Sequence, residues 1–184
     1  MPDGLILMTP TSVATSGAGA SASIGANGSV TFTTCLTLSI NGVFTSAYDN
    51  YVVMMRFVMN SGSGDSLTYR LRASGSDNST ASSYKSQYKY ADNTSVLANT
   101  ATDTQGYLGY SYQGKREGLA WYVFAPYKSE PTASLTHTFN DRSDAAIYDY
   151  GSTHSQSTAY DGFTLLTSTN RTLVGLLTVF GFNQ

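Results

Sequence analysis

Two histidines and one cysteine are the side chains of this chain best suited to acid–base or nucleophilic chemistry. His154 lies close in sequence to several serines and to Asp161, and these residue types could in principle form a Ser-His-Asp catalytic triad. Ser and Thr are so common here, however, that hydroxyl groups flank any histidine, and no G-x-S-x-G turn is present. We therefore interpret His137 and His154 as hydrogen-bonding surface residues and expect no catalytic residue.

A metal site, a catalytic thiol and a catalytic carboxylate pair are also weakly supported. A zinc site would need Cys35, both histidines and a carboxylate to converge, and their positions lack ligand-like spacing. Cys35 is better interpreted as a small buried hydrophobic residue. Asp141, Asp144 and Asp149 do not form a calcium-loop pattern, and Asp144, Asp149 and Asp161 fit turns better than a glycosidase pair. We expect no metal and no cofactor.

The composition excludes several partners. The chain has 184 residues, a net charge of −2 and only 12% charged residues, with 14 tyrosines among many Ser, Thr, Asn and Gly residues. The ten basic residues are scattered, which argues against nucleic-acid binding. We find no signal peptide and no apolar run near the ~20 residues of a membrane helix. A single cysteine permits no internal disulfide and suits a reducing cytosol.

The pattern of apolar residues predicts an all-β fold. Short alternating runs begin at Val30, and residues 51–59 and 173–182 are apolar on both faces, which is typical of central strands. Asn41 and Gly42 predict a hairpin turn, and residues 74–104 are predicted to be mostly surface loops. About nine to eleven strands separated by turns favour an antiparallel β-sandwich, which we expect to be jelly-roll-like.

The first part of the chain has a different composition from the rest. Residues 11–29 are mostly small and flexible in character, and a short apolar patch precedes them. We predict a flexible N-terminal arm over residues 1–28, with a role in attachment, followed by a sandwich domain over residues 29–184.

Two groups of residues are candidate contact sites. On the last strand, Val174, Leu176, Phe180 and Phe182 share one apolar face, and we predict that this face contacts another subunit. Tyrosines are enriched at interfaces and also stack on sugars. The candidates for surface or glycan contact are Tyr107, Tyr110, Tyr112 and Tyr127, whereas Trp121, Phe124 and Phe163 are predicted to lie in the core.

Several stretches together resemble a family of small structural proteins of tailed bacteriophages. They are "LTLSINGVFTSAYDNYVVMMRF", "LTYRLRASGSDNSTASSY", "STAYDGFTLL" and "LVGLLTVFGF". The family shows "VFSS", "YDNY", "LRLRxSG" and a closing "YDGFxL…GxxxVYG" in this order. The resemblance covers about residues 29–182, and Phe180 stands where the family often has Tyr. It implies a β-sandwich on the outside of the virion, frequently trimeric, without catalytic residues.

The sequence therefore favours a non-enzymatic virion protein that folds in the bacterial cytoplasm. It would self-associate, most simply as a trimer, and contact other virion proteins through residues 1–28. A tail or tail-fibre protein would present residues 74–104 and 141–160 to a host glycan, whereas a decoration protein would clamp the capsid. The alternatives are a stand-alone carbohydrate-binding module and, with less support, a glycan-degrading enzyme.

Overall fold

The computed structural model describes residues 4–60, 64–91, 96–141 and 146–183. These residues form strands, turns and connecting segments, and the predicted all-β fold is confirmed. Sixteen strands run through the described residues: β1 (Ile6–Met8), β2 (Ser12–Ser16), β3 (Ser21–Ile24), β4 (Val30–Cys35), β5 (Thr37–Asn41), β6 (Asn50–Met59), β7 (Asp65–Ala73), β8 (Ser76–Asp77), β9 (Tyr84–Ala91), β10 (Val96–Asp103), β11 (Gly106–Ser111), β12 (Arg116–Phe124), β13 (Thr132–Asn140), β14 (Ala146–His154), β15 (Gly162–Thr167) and β16 (Leu173–Phe182).

The strands form two antiparallel sheets of unequal width, packed face to face as a sandwich. The larger sheet has ten strands in the order β10-β9-β14-β13-β12-β6-β16-β4-β3, with β1 also paired to β16. The smaller sheet has six strands in the order β11-β7-β15-β5-β2, with β8 paired to β7. The predicted β-sandwich is thus confirmed, while the jelly-roll description stays a prediction.

The core lies between the inner faces of the two sheets. On the larger sheet, the alternate residues Tyr51, Val53, Met55, Phe57 and Met59 of β6 are all buried. Trp121 of β12 is fully buried, and its ring centroid lies 4.4 Å from that of Tyr69 and 5.2 Å from that of Phe163 in the smaller sheet. Trp121 and Phe163 are therefore core residues, as predicted.

The two strands expected to be central do lie inside the larger sheet, but only their inner faces are fully covered. β6 lies between β12 and β16, and β16 lies between β6 on one side and β4 and β1 on the other. On the outer face, Met54 is 49% exposed, and Phe124, predicted to lie in the core, is only partly buried. The prediction of burial on both faces is therefore wrong for this face.

The run from Val30 to Ile40 is not one strand, because the chain changes sheet within it. β4 belongs to the larger sheet and β5 to the smaller one. Thr34 has a φ of 53° at the end of β4, and this left-handed conformation redirects the backbone. Asn41-Gly42 likewise leads back towards the larger sheet, since β5 pairs with β15 and β2 rather than with β6. The predicted hairpin there is wrong.

The N-terminal segment is part of both sheets, so the prediction of a flexible arm is wrong for residues 6–24. β1 pairs with β16, β2 with β5 and β3 with β4. Met8, Val13 and Ile24 pack against the hydrophobic core. The composition of this segment is typical of a flexible linker. The hydrogen bonds between its strands and the two sheets, together with these apolar contacts, offset the conformational entropy that the small residues lose on ordering.

The larger sheet extends beyond the smaller one at its β10 edge. β11 is the edge strand of the smaller sheet, and it lies over β13, because the Thr138 hydroxyl donates to the Leu108 carbonyl (2.7 Å). β9 and β10 continue the larger sheet past this point. Residues 74–104, expected to be mostly loops, therefore supply two strands whose inner face the smaller sheet does not fully cover.

Deleting residues 1–28 is expected to lower the free energy of unfolding by at least ~3 kcal/mol, because core side chains next to β1, β2 and β3 lose their cover. Chemical denaturation of the full and truncated chains measures the difference. A full-length variant in which Met8, Val13 and Ile24 are replaced by Ser should show part of the same loss. Equal midpoints and slopes for the full and truncated chains would show instead that this segment is independent of the sandwich.

Candidate tyrosine-lined binding site

A cavity of about 410 Å³ opens where the larger sheet extends beyond β11. Seven of its eleven lining residues are tyrosines, and the other four are small or polar. The lining residues are Ser66, Tyr88, Tyr90, Asn99, Thr100, Ala101, Tyr107, Tyr110, Tyr112, Tyr148 and Tyr150. Since aromatic rings with a few polar groups are the usual lining of ligand pockets, this cavity is the candidate functional site.

Four tyrosines on β9 and β14 form one side of the cavity. Tyr88 pairs across the strands with Tyr150, and Tyr90 pairs with Tyr148. The ring centroids are 4.9 Å apart in the first pair and 5.5 Å apart in the second, with the rings nearly parallel. Residues two positions apart in a strand share a face, so all four rings lie on the inner face and pack as one cluster.

The tyrosines of β11 and the connection that follows it form the opposite side. The ladder between β11 and β7 shifts register between Tyr107 and Gly109, which allows Tyr107 and Tyr110 to line the same cavity although they are three residues apart. A Cβ atom added to Gly109 would lie 3.0 Å from the Thr138 hydroxyl oxygen, so the glycine permits close approach of β11 to β13. Tyr110 and Tyr112 then meet edge to face at 5.2 Å.

The hydroxyls of Tyr107 and Tyr150 stay protonated at neutral pH. Burial and the neighbouring tyrosines raise the pKa of Tyr150, and burial together with the Asp103 carboxylate raises the pKa of Tyr107. The Tyr107 hydroxyl donates to Asp103 Oδ2 at 3.2 Å. Because no described lining residue carries a charge, the cavity offers neutral hydroxyl donors and acceptors beside aromatic surface.

Three of the four tyrosines selected from the sequence come together in this cavity, and the fourth does not. Tyr107, Tyr110 and Tyr112 line it, whereas Tyr127 lies on the turn after β12 with 40% of its surface exposed. Four lining residues were not predicted from the sequence, namely Tyr88, Tyr90, Tyr148 and Tyr150. Their spacing of two residues within "YKSQYKY" and "YDY" was an available signal, because such pairs share a face of a strand.

The predicted subunit contact lies on the outer face of the larger sheet. Val174, Leu176, Phe180 and Phe182 are all partly exposed there, while the alternate residues of β16 face the core. Other exposed apolar side chains on the same face are Leu7, Met54, Leu135, Phe139 and Ile147. The face is therefore apolar across several strands, although its role as a contact stays a prediction.

His154 is a buried structural residue and not the surface residue expected from the sequence. It is fully buried, its ring stacks on Tyr84 at 4.1 Å, and its Nε2 lies 2.6 Å from the Tyr160 hydroxyl. That hydroxyl already accepts from Asn78 Nδ2 at 2.9 Å, so it donates its proton to a neutral imidazole. No serine hydroxyl and no aspartate carboxylate joins His154 in a described hydrogen bond, so the Ser-His-Asp set is not assembled.

The other residues considered for chemistry are far from one another in the fold. His137 lies on the outer face with Nδ1 2.5 Å from Asp149 Oδ1, while Asp161 precedes β15 in the smaller sheet. Cys35 is buried, and its thiol donates to the Thr33 carbonyl at 3.2 Å. Asp144 is outside the described residues. No group of three or more His, Cys, Asp or Glu side chains in the described ranges is placed to hold a metal ion.

Comparisons with protein families, with curated proteins and with solved structures give no match to this chain. Among the residues that the structure describes, no helix has the length and apolar character needed to cross a membrane.

Replacing His154 with Gln is expected to reduce the dependence of the free energy of unfolding on pH below about pH 7. Burial lowers the pKa of His154 to about 4, below its ordinary value of 6.5, so only the unfolded state gains a proton between these values. The wild-type protein should therefore lose up to ~3 kcal/mol relative to the variant as the pH falls from about 7 to 4. Denaturant unfolding at several pH values measures this difference, and parallel curves for the two proteins would contradict it.

Proposed function

We propose that this chain is a non-enzymatic structural protein of a tailed bacteriophage particle that binds a bacterial surface glycan in the tyrosine-lined cavity. The observation that carries the binding part of the proposal is the cluster of seven tyrosines around a cavity of about 410 Å³. The resemblance of residues 29–182 to phage structural proteins supports the location on a virion. The protein would fold in the bacterial cytoplasm before assembly.

The chemistry of the cavity fits a neutral ligand rich in hydroxyl groups. Phenol hydroxyls and the amide of Asn99 can exchange hydrogen bonds with sugar hydroxyls, and aromatic rings cover the apolar face of a sugar ring. Tyr148 and Tyr150 are almost completely buried, so their rings are held in place before a ligand arrives. Such pre-organisation reduces the entropy lost on binding. Residues from 74–104 and 141–160 supply part of this lining, as strands rather than as loops.

Self-association through the outer face of the larger sheet is the second part of the proposal. Phe139 and Ile147 are paired across β13 and β14, and each leaves more than half of its surface exposed, 53% and 54% respectively. Together with the outer residues of β16, they form a broad apolar face of the kind that a subunit interface covers. A second copy of this chain is the proposed occupant, in a trimer. Exposed Leu5 and Leu7 make residues 1–28 the proposed contact with other virion proteins.

A capsid decoration protein and a stand-alone carbohydrate-binding module are the competing functions. The cavity favours adhesion over decoration, because clamping a capsid needs no sugar-sized pocket. A carbohydrate-binding module would use the same cavity but act as a monomer, so the oligomeric state separates it from the phage proposal. A glycan-degrading enzyme has the least support, because Asp149 lies on β14 of the larger sheet, whereas Asp161 precedes β15 of the smaller sheet.

Replacing Tyr110 with Ala is expected to weaken glycan binding about tenfold, which corresponds to ~1.4 kcal/mol. The physical reason is the loss of one ring and one hydroxyl from the cavity wall. Binding to a panel of oligosaccharides prepared from bacterial surface polysaccharides, followed by calorimetry on the best binder, gives the measurement. The glycan affinity of Tyr110→Phe should lie between those of the wild-type protein and Tyr110→Ala, because this variant keeps the ring and loses only the hydroxyl.

Tyr127→Ala is the matched control for this experiment, because it removes an exposed tyrosine outside the cavity. It should bind like the wild-type protein. Binding that survives in Tyr110→Ala, or that is lost in Tyr127→Ala, would place the glycan elsewhere.

Replacing Leu176 with Glu is expected to dissociate the oligomer, because a charge would be buried in the apolar contact. Light scattering at micromolar concentration should show a trimer for the wild-type protein and a monomer for the variant. Ser129→Glu adds the same charge on the exposed turn after β12 and should remain trimeric. A stable wild-type monomer would contradict self-association and favour the carbohydrate-binding module.

A further inference from the structure

Two carboxylates lie beside the tyrosine-lined cavity. Asp103 is the last residue of β10, and its Oδ2 accepts a hydrogen bond at 3.2 Å from the hydroxyl of Tyr107 in the cavity wall. Asp65 is the first residue of β7 and precedes Ser66, which also lines the cavity. Although burial opposes it, hydrogen bonds from the Ser168 and Thr169 side chains lower the pKa of Asp65, so this side chain is negatively charged at neutral pH.

The electric field of these carboxylates reaches the cavity wall. Burial raises the pKa of the Tyr107 hydroxyl, and the negative charges of Asp103 and Asp65 raise this pKa further. A field that disfavours a negative charge on Tyr107 favours a positive charge at the same place. The cavity is therefore suited to a ligand group that carries a positive charge.

The basic side chains on the strands that line the cavity point away from it. Lys85 and Lys89 alternate with the inward-facing tyrosines of β9, so they lie on the outer face of the larger sheet, where Lys89 Nζ is 3.4 Å from Asp149 Oδ2. Arg70 and Arg72 alternate with core residues of β7 and lie on the outer face of the smaller sheet. The described residues of β10, β11 and β14 include no lysine or arginine.

The aromatic lining attracts positive charge as well. Five of the lining tyrosines are only partly buried, namely Tyr88, Tyr90, Tyr107, Tyr110 and Tyr112. An ammonium group is attracted to the electron-rich face of an aromatic ring, and the attraction is stronger where water is excluded. An acidic ligand would meet the two carboxylates with no basic partner among the described lining residues, and an uncharged ligand would gain little from them. Only a cation uses both the rings and the carboxylates.

We propose that the glycan bound in this cavity carries a positively charged amine, which lies against the rings of Tyr88 and Tyr107 beside the carboxylate of Asp103. This inference rests on the proposed glycan-binding function, and it adds the substituent that the site selects on an otherwise uncharged sugar. Two substituents have this chemistry, the primary ammonium of an amino sugar and the quaternary ammonium of choline. A carboxylate oxygen can accept two hydrogen bonds, so Asp103 Oδ2 can accept from a primary ammonium as well as from Tyr107.

Two matched sets of small ligands test the proposal on the full chain at about pH 6, where amines and carboxylates are both charged. One set is choline and its carbon analogue, in which an uncharged tert-butyl group replaces the trimethylammonium group. The other set is glucosamine, glucose and glucuronic acid. Dissociation constants from NMR titration should be at least about tenfold lower for the amine than for the uncharged member of one set, and that set identifies the source of the amine. Glucuronic acid should bind more weakly than glucose.

Two variants locate the amine within the cavity. Asp103→Asn keeps an acceptor for the Tyr107 hydroxyl and removes the charge, so it should weaken binding of the preferred amine about fivefold and leave the uncharged analogue unchanged. Tyr107→Leu keeps apolar volume and removes the ring, so it should also lower the preference for the amine. Asp49→Asn makes the same chemical change as Asp103→Asn at an exposed position outside the cavity and should bind like the wild-type protein.

The outcomes separate this inference from the glycan-binding proposal. Equal affinities for charged and uncharged ligands in both sets, or an amine preference that is unchanged in both Asp103→Asn and Tyr107→Leu, would overturn the inference. If these uncharged ligands still bind and are lost in Tyr110→Ala, the glycan-binding proposal stands without the amine. Absence of binding by all these compounds would also overturn the inference, and the oligosaccharide panel then decides the glycan-binding proposal separately.

Discussion

The unequal width of the two sheets is the constraint on which the rest of this structure depends. A ten-stranded sheet cannot be covered on its whole inner face by a six-stranded one. The aliphatic and aromatic core fills the region where both sheets are present, around Trp121. Beyond β11, the inner face of β9 and β14 carries tyrosines in place of aliphatic side chains. Tyrosine suits this position because its ring can be buried while its hydroxyl meets water or a ligand.

Many consecutive strands of the chain lie in different sheets. Among these connections are those from β4 to β5 and from β11 to β12, where the chain passes from one sheet to the other instead of forming a hairpin. These passages bring together residues that are distant in sequence, and they require special local solutions. Thr34 adopts a left-handed conformation at the first of them. Near the second, the polar side chains of Ser111, Glu117 and Asn140 are buried.

Alternation of apolar residues was enough to predict the fold class and the limits of β16. It could not reveal to which sheet a strand belongs, because strands in both sheets alternate in the same way. For this reason the change of sheet between β4 and β5, within the alternating run that begins at Val30, was not predicted. The N-terminal strands were missed because their small residues carry little β propensity, and their order comes from long-range pairing.

The candidate site was only partly visible in the sequence. Tyr107, Tyr110 and Tyr112 were selected because they are aromatic and close together in the chain. Their partners on β9 and β14 are distant in sequence. The common face of these partners follows from the pairing of Tyr88 with Tyr150 and of Tyr90 with Tyr148. The burial of His154 was missed because its partner Tyr160 lies in the segment between β14 and β15, and because the serines around His154 suggested a surface segment.

The most direct test of the account is a crystal structure of the protein soaked with the bacterial surface oligosaccharide that it binds most tightly. The account predicts density for the sugar inside the cavity, between Tyr110 on one side and the paired rings of Tyr90 and Tyr148 on the other. Sugar density on another surface, with this cavity empty, would contradict it.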